Sequence, residues 1–477
     1  MRAACALAAL VALASCAPAM PAASVRRVEL PASYTAAGAG PSVAAIPWQT
    51  FFADPDLTAL IGAALDGNLD LQLAVQRIET ARAGILELSG ARLPQLSAVA
   101  EAGIRKYSRY TVDGAGNVGT EIAPGEATPT HVPDLFVGVQ ASWEPDLWRR
   151  LGNAQGAARA RYLATVEARS LVISTLIADV ATDYYSLAAL DETTRVLTQT
   201  IAQQSQALEM MRVEKDAGRT NELAVRQFAA QLAATRALAE HVQLETRDLE
   251  LDLDVLLGRP DGTITRSATA LALPVLPLAS GVPSDLLRNR PDIRAAELDV
   301  EAARLDLAAA RAAFYPRLRL SADLGYEAFD PRFLLKTPAS LAYSLVAGLA
   351  APLVNRRGIE AAFRTASAAQ ITAMVTYQRV VLHSFAEVAS ALSHLQHAAA
   401  IVDEQQQRKH ALEDSVEAAN ELFQAGKATY LDVLLSQQQT LQAELDLIAA
   451  LRDLQIAKVR LYKVLGGGGT TLARDMH

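Results

Sequence analysis

The chain has 477 residues, a net charge of −8, and 51% apolar but only 5% aromatic side chains. Its richness in Ala, Leu, Gln and Glu favours long helices over a β-sandwich or an α/β enzyme core. No basic stripe with interleaved aromatics argues for nucleic acid, and no apolar run of about 18 residues beyond the N-terminus argues for a spanning helix.

Residues 1–15, with Arg2 before an apolar stretch to Ala14, read as a signal peptide. The segment ends Leu13-Ala14-Ser15-Cys16, which resembles a bacterial lipobox, so Cys16 is the expected lipid anchor and Cys5 is discarded. Ordinary cleavage among the small residues from Ala19 to Ala23 is the alternative. Ala17, where an Asp would signal retention at the inner membrane, favours the outer membrane by the same resemblance. Several acyl chains anchor firmly where one holds marginally. Residues 16–47 are Ala-, Pro- and Ser-rich and read as a tether.

Helical patterning begins at Asp54-Pro55-Asp56 and runs to about Gly90. Strands are expected at about 93–107 and 134–146; in the second, Leu135, Val137, Val139, Ala141 and Trp143 alternate with Phe136, Gly138, Gln140 and Ser142. Between them, Gly114-Ala115-Gly116-Asn117-Val118-Gly119 spells GxGxxG. A dinucleotide site needs that loop between a buried parallel strand and a helix, so here it reads as an extracellular loop. Residues 154–215 contain no Pro and only Gly156, which predicts a single helix roughly 90 Å long at about 1.5 Å per residue. Gly218, followed by Arg219, can take the left-handed turn that ends it, and a second helix returns over 221–257.

The second half repeats the first. Pro94, Leu96 and Gly103 recur as Pro316, Leu318 and Gly325, 222 residues on; Gly218 and Leu257-Gly258 recur as Gly426 and Leu465-Gly466, 208 residues on. Arg150 and Gly152 recur as Arg356 and Gly358, 206 residues on, so the large drop in spacing falls in one place, the loop after Pro94. Matching order with one insertion indicates duplication: repeat 1 over 48–270, a linker over 271–283, repeat 2 over 284–466 and a tail over 467–477. Repeat 2 offers strands at about 315–327 and 340–351. Its long helix, 360–424, carries Ile371, Met374, Val381, Phe385, Val388, Leu392, Leu395, Ala399 and Val402 at heptad spacing, a coiled-coil seam. Gly426-Lys427 turns the chain into a last helix over 429–465.

Strands of about ten residues with one apolar face have the pattern of transmembrane β-strands, yet even the smallest barrel needs about eight. Three chains would supply twelve. The predicted fold is therefore mainly α with a transmembrane β-barrel, a duplicated helix–β-hairpin–long helix hairpin that closes as a trimer. A soluble periplasmic coiled-coil lipoprotein scaffold is the alternative from another class.

At these residues the sequence resembles the outer-membrane efflux proteins of the TolC and OprM type, and within them the NodT-like lipoproteins of resistance-nodulation-division systems. The resemblance rests on Trp48-Gln49-Thr50-Phe51-Phe52 with Asp54-Pro55, on Trp143-Glu144-Pro145-Asp146-Leu147-Trp148, on Arg290-Pro291-Asp292-Ile293-Arg294 with Phe314-Tyr315-Pro316, and on Tyr430-Leu431-Asp432-Val433-Leu434. It covers Trp48 to Gly466 in order. It implies a homotrimer with a 12-stranded barrel in the outer membrane and a 12-helix α-barrel through the periplasm. It also implies a passive exit duct, opened by a periplasmic adaptor and an inner-membrane RND pump. An exit duct for type I protein secretion is the alternative on the same fold.

By that resemblance Asp432 stands where three carboxylates ring the periplasmic tip, a natural cation-attracting constriction. An exposed acid favoured by the helix dipole is the plainer reading. Leu435 and Ala224 replace acids that relatives carry, which makes an apolar plug by Leu434 or Leu435, beside Leu431, an alternative latch. Arg219 and Lys427, beside Gly218 and Gly426, are candidate adaptor contacts or ordinary C-terminal helix cations. His394 and His397 lack an evident third ligand. No HExxH, GxSxG or P-loop occurs, so no enzyme activity, cofactor or metal is expected.

Overall fold

The computed structural model describes residues 18–20, 29, 31, 46–272, 289–351 and 356–468. The signal peptide, Cys5, Cys16, most of the tether, most of the expected linker and the end of the tail lie outside the described residues.

The N-terminal helices are α1 (Trp48–Phe51), α2 (Pro55–Gly67) and α3 (Leu69–Gly90). The single helix expected from Asp54 to Gly90 is thus broken at Asn68, whose backbone is extended at ψ 128°. Its side chain explains the break: Asn68 Oδ1 accepts from Leu71 N at 2.9 Å while Nδ2 donates to Leu256 O at 2.9 Å. Strand β1 (Gln95–Arg105) leads to α4 (Val112–Gly119), the small hairpin β2 (Glu121–Ala123) and β3 (Glu126–Ala127), then β4 (Val132–Trp143). The Gly-rich stretch is therefore no plain loop. Thr111 caps α4 by accepting from Gly114 N at 3.2 Å, and a side chain at Gly114 would strike the carbonyl of Ser108. Next come the long hairpin α5 (Arg150–Asp216) and α6 (Glu222–Leu256). Repeat 2 supplies α7 (Pro291–Ala312), β5 (Arg317–Ala328), β6 (Leu341–Ala350), and the hairpin α8 (Arg357–Gln424) and α9 (Tyr430–Val464).

The chain forms two compact units. One comprises residues 1–25, 80–162 and 298–374 and holds the sheet; its four strands run antiparallel in the order β1-β4-β5-β6. Each repeat contributes one hairpin, and β4 joins them by pairing with β5 from Leu135↔Ala328 to Trp143↔Leu320. At the centre Gly138 faces Gly325, and a side chain on either would meet the opposite backbone and the ring of Phe136. Phe136 covers two glycines that leave it room, which pins the register of the two repeats. Trp148 stacks on Tyr315 and donates to Pro316 O at 2.7 Å, while Asp146 accepts from Leu151 N and Gly152 N to cap α5.

The other unit, residues 26–79, 163–297 and 375–477, holds the largest core. Leu57, Ile61, Tyr184, Leu187, Leu253 and Leu461 are fully enclosed; truncating one such Leu to Ala costs about 2–5 kcal/mol. The opening aromatic motif explains itself here. Phe51 stacks on Tyr462 at 4.2 Å, and buried Asp54 caps α2 while accepting from the Tyr184 hydroxyl at 2.8 Å. The heptad seam of α8 is used from Val381 onward: Val388 and Leu392 enter this core, and Val402 packs against Ala450 and Leu454 of α9. Ile371 is exposed.

Both repeats end in the same way. Leu257-Gly258, after α6, rests against Gly67 at the end of α2; a side chain at Gly258 (φ +70°) would strike the Gly67 carbonyl. Leu465-Gly466, after α9, rests likewise against Asn289, and Gly466 has φ +92°. Asn68 holds Leu256 O, and at the corresponding place Arg290 Nη1 holds Val464 O at 2.9 Å. Arg290 also pairs with Asp292 and Glu387. Burial acts to lower its pKa, but these two carboxylates outweigh it and the net shift is upward.

Candidate functional site

Two regions carry the candidate function, the helical-hairpin tips and the four-stranded sheet. At both tips the chain reverses through a left-handed glycine, Gly218 at φ +72° and Gly426 at φ +71°. In each, the next amide reaches back to close the helix end: Arg219 N donates to Glu214 O and Lys427 N to Leu422 O, both at 2.8 Å. This is the Schellman closure, which only a residue tolerant of positive φ completes cheaply.

The returning helices are capped differently. Asn221 caps α6 by accepting from Ala224 N at 3.0 Å, and Ala224 is fully buried. Thr429 and Asp432 form a reciprocal capping box on α9, with Thr429 N and Oγ1 each donating to Asp432 Oδ2 at 2.7 Å. Those hydrogen bonds from Thr429 hold the Asp432 carboxyl below its ordinary range. Asp432 is thus an exposed, ionised acid fixed in direction by its own cap. The Thr-x-x-Asp spacing carried that signal in the sequence.

The three leucines separate. Leu434 is buried in the chain's own core with Leu208, Met211, Val225, Phe228 and Leu232. Leu431 and Leu435 are each 51% exposed. As a plug, Leu434 is thereby withdrawn from the surface, because five apolar neighbours of the same chain already cover it. Around the turns, Arg219 lies 3.5 Å from Glu214, and Lys215 and Arg226 share Glu222. The Lys427 ammonium is exposed and makes no hydrogen bond or ion pair among the described residues. No three His, Cys, Asp or Glu side chains among the described residues are placed to hold a metal ion; His394 and His397 stand exposed on α8.

The sheet has two chemically distinct faces. Register places Leu96, Ala141, Ala322 and Leu345 in one row and Ala98, Val139, Leu324 and Tyr343 in the next, an apolar surface across all four strands. On the opposite face Ser97, Gln140, Asp323 and Ser344 form a row. There Gln140 Nε2 and Ser344 Oγ both donate to Asp323, at 2.7 Å each. Sequence alternation displayed both faces, but the rung joining four strands needed the register. Strands of ten to twelve residues suit a membrane crossing. No described helix is long and apolar enough to cross one.

The chain matches the family described as outer membrane efflux protein over residues 60–259 and 282–467. It is 31% identical over 427 residues to the pyoverdine export outer membrane protein OpmQ of Pseudomonas putida, covering 88% of each. It is 28% identical over 423 residues to the cation efflux system protein CusC of Escherichia coli K12, again covering 88% of each. Among solved structures, the open state of the MtrE outer membrane channel of Neisseria gonorrhoeae superposes with a TM-score of 0.83 at 25% identity, over 95% of this chain and 98% of that one. With its capped hairpin tips and two-faced sheet, the chain belongs to the outer membrane efflux protein family and is the outer-membrane channel component of an efflux system.

Proposed function

We propose that the chain works as a homotrimer, in which three four-stranded sheets close a 12-stranded barrel across the outer membrane and the helical hairpins form a 12-helix wall in the periplasm. The observation that carries this reading is the sheet: one face is apolar, the other polar, and β1 and β6 each have one edge without a partner among the described residues. Open edges are not tolerated in lipid, and closure requires further strands. Three copies provide the smallest symmetric count above eight.

The duct is passive and without catalytic chemistry of its own, receiving small molecules from an inner-membrane RND pump through a periplasmic adaptor. Cys16, acylated, anchors it. At the tip three Asp432 carboxylates ring the entrance, where their fixed charge attracts cations, and exposed Leu431 and Leu435 supply the apolar part of the closed gate. Lys427 and Arg219 face the adaptor. Pyoverdine and cations, named for two relatives, differ too much for a shared binding pocket, which supports a duct whose cargo is chosen upstream.

The purified protein, reconstituted in a planar bilayer, is expected to conduct, with less preference for cations after Asp432→Ala. A trimer that migrates as a heat-modifiable band accompanies it. Absence of conductance in both proteins would remove the duct reading; monomeric, unmodifiable protein would favour the scaffold alternative.

A further inference from the structure

The polar face of the sheet carries a feature that a passive, cation-attracting tube does not require. Arg317 and Arg319 open β5 on the same face as Ser321 and Asp323, since side chains two residues apart share a face. Opposite them on β6 stand Ala350 and Gly348. A side chain added at Gly348 would meet nothing. The small partners leave a cavity of about 560 Å3 lined by both arginines, Gly348, Ala350, Ile359 and Glu144.

Neither guanidinium has a hydrogen bond or ion pair among the described residues, although both are exposed, Glu144 lines the same cavity and Asp323 shares their strand face. Those carboxylates are already engaged. Glu144 pairs with Arg150 at 2.8 Å, and Asp323 takes hydrogen bonds from Gln140 and Ser344. Asp323 also lies four residues along the strand from Arg319, about 13 Å away. The edge strand free to pair with β6 in a second copy is β1, which begins Gln95-Leu96-Ser97 and has its first acid at Glu101, about 20 Å along. Two arginines roughly 7 Å apart on one strand face repel each other and present two planar donor forks to one opening.

We infer that Arg317 and Arg319 form an anion-binding station on the inner wall of the barrel at its helix-side mouth, for solutes bearing carboxylate or phosphate groups. The inference rests on the trimeric duct reading, in which this face lines the lumen and six guanidinia form one ring. Arginine suits the role because its fork binds an oxyanion through two parallel hydrogen bonds. The duct then presents negative charge at the tip and positive charge at the base of the barrel. An anionic solute that has passed the Asp432 ring is drawn onward to the arginines.

The test uses the full-length detergent-solubilised trimer and citrate as the probe. Calorimetry does not depend on an open tip, and citrate binding is expected to weaken by about tenfold or more in Arg317→Gln/Arg319→Gln, the loss of one charge-assisted hydrogen bond. In a phosphatidylcholine bilayer, citrate is expected to reduce the wild-type current, and the Gln pair is expected to escape the block and shift the reversal potential in a KCl gradient toward cation selectivity. Arg317→Lys/Arg319→Lys should restore the reversal potential while binding citrate less well than wild type, which separates charge from fold. Equal citrate binding and block in wild type and the Gln pair would overturn the inference while leaving the duct intact. Loss of the block on adding phosphatidylglycerol would reassign the arginines to a lipid headgroup and overturn it as well. Absence of trimer or of any current removes the duct reading, and this inference with it.

Discussion

Asp432, proposed above as the tip charge, has a structural purpose of its own. Its carboxylate accepts from Thr429 N and Oγ1, so the charge that faces the tip is also the charge that starts α9. Because the folded pKa lies below the ordinary 3.8, its contribution is present above that value and lost as pH falls through the lower, folded one. Thr429→Ala should therefore loosen the first turn of α9 by about 1 kcal/mol at neutral pH, read as faster amide exchange there. An unchanged exchange pattern would mean that packing of Leu434 alone holds the turn. Asp183 works in the opposite direction. Burial, then the neighbouring Asp179 and Asp252 charges, push it up to about 6, so the folded state resists its ionisation and stability is reduced above that pH. The penalty disappears as pH falls from about 6 toward 3.8. Asp183→Asn should raise the Tm at pH 8, with the gain vanishing near pH 4; a pH-independent gain would exclude titration as its source.

Among the elements, the long helices were the most legible in the sequence. A Pro-free heptad pattern over sixty residues has few other solutions, and left-handed glycines mark both turns. The strands were legible through alternation, but their register was not, because the Gly138–Gly325 pair under Phe136 connects residues from different repeats. The break at Asn68 was hidden for a similar reason: its side chain is satisfied by Leu256 O, 188 positions away. The burial of Leu434 was equally invisible, since heptad spacing cannot distinguish an inward leucine packed on α5 and α6 from one facing the lumen. Arg290 was conspicuous as a motif but carried no visible reason until Val464 O, Asp292 and Glu387 gathered around it. Arg290→Ala takes a buried guanidinium away from Val464 O and from two part-buried acids, and losing charge-assisted hydrogen bonds of this kind costs about 1–3 kcal/mol. Chemical denaturation should report it, whereas Arg304→Ala, whose partner Glu301 is solvent-exposed, should fall below about 1 kcal/mol. Equal effects would mean that Arg290 acts only at the surface.

For the whole molecule, the matching closures of the two repeats have a consequence for how the chain can be cut. Leu257-Gly258 returns to Gly67, and Leu465-Gly466 returns to Asn289, so each half finishes beside its own beginning. The peptide link from one half to the next raises the local concentration of each for the other. A gene divided in that link, with each part given its own export signal, should yield two polypeptides that find one another through Phe51, Tyr184 and Tyr462 and still build the duct. Recovery of the heat-modifiable complex from the two parts would demonstrate this, and recovery of neither part in the outer membrane would refute it. Success would open the tube to construction from six separate pieces, in which one half can be altered while its counterpart stays unchanged.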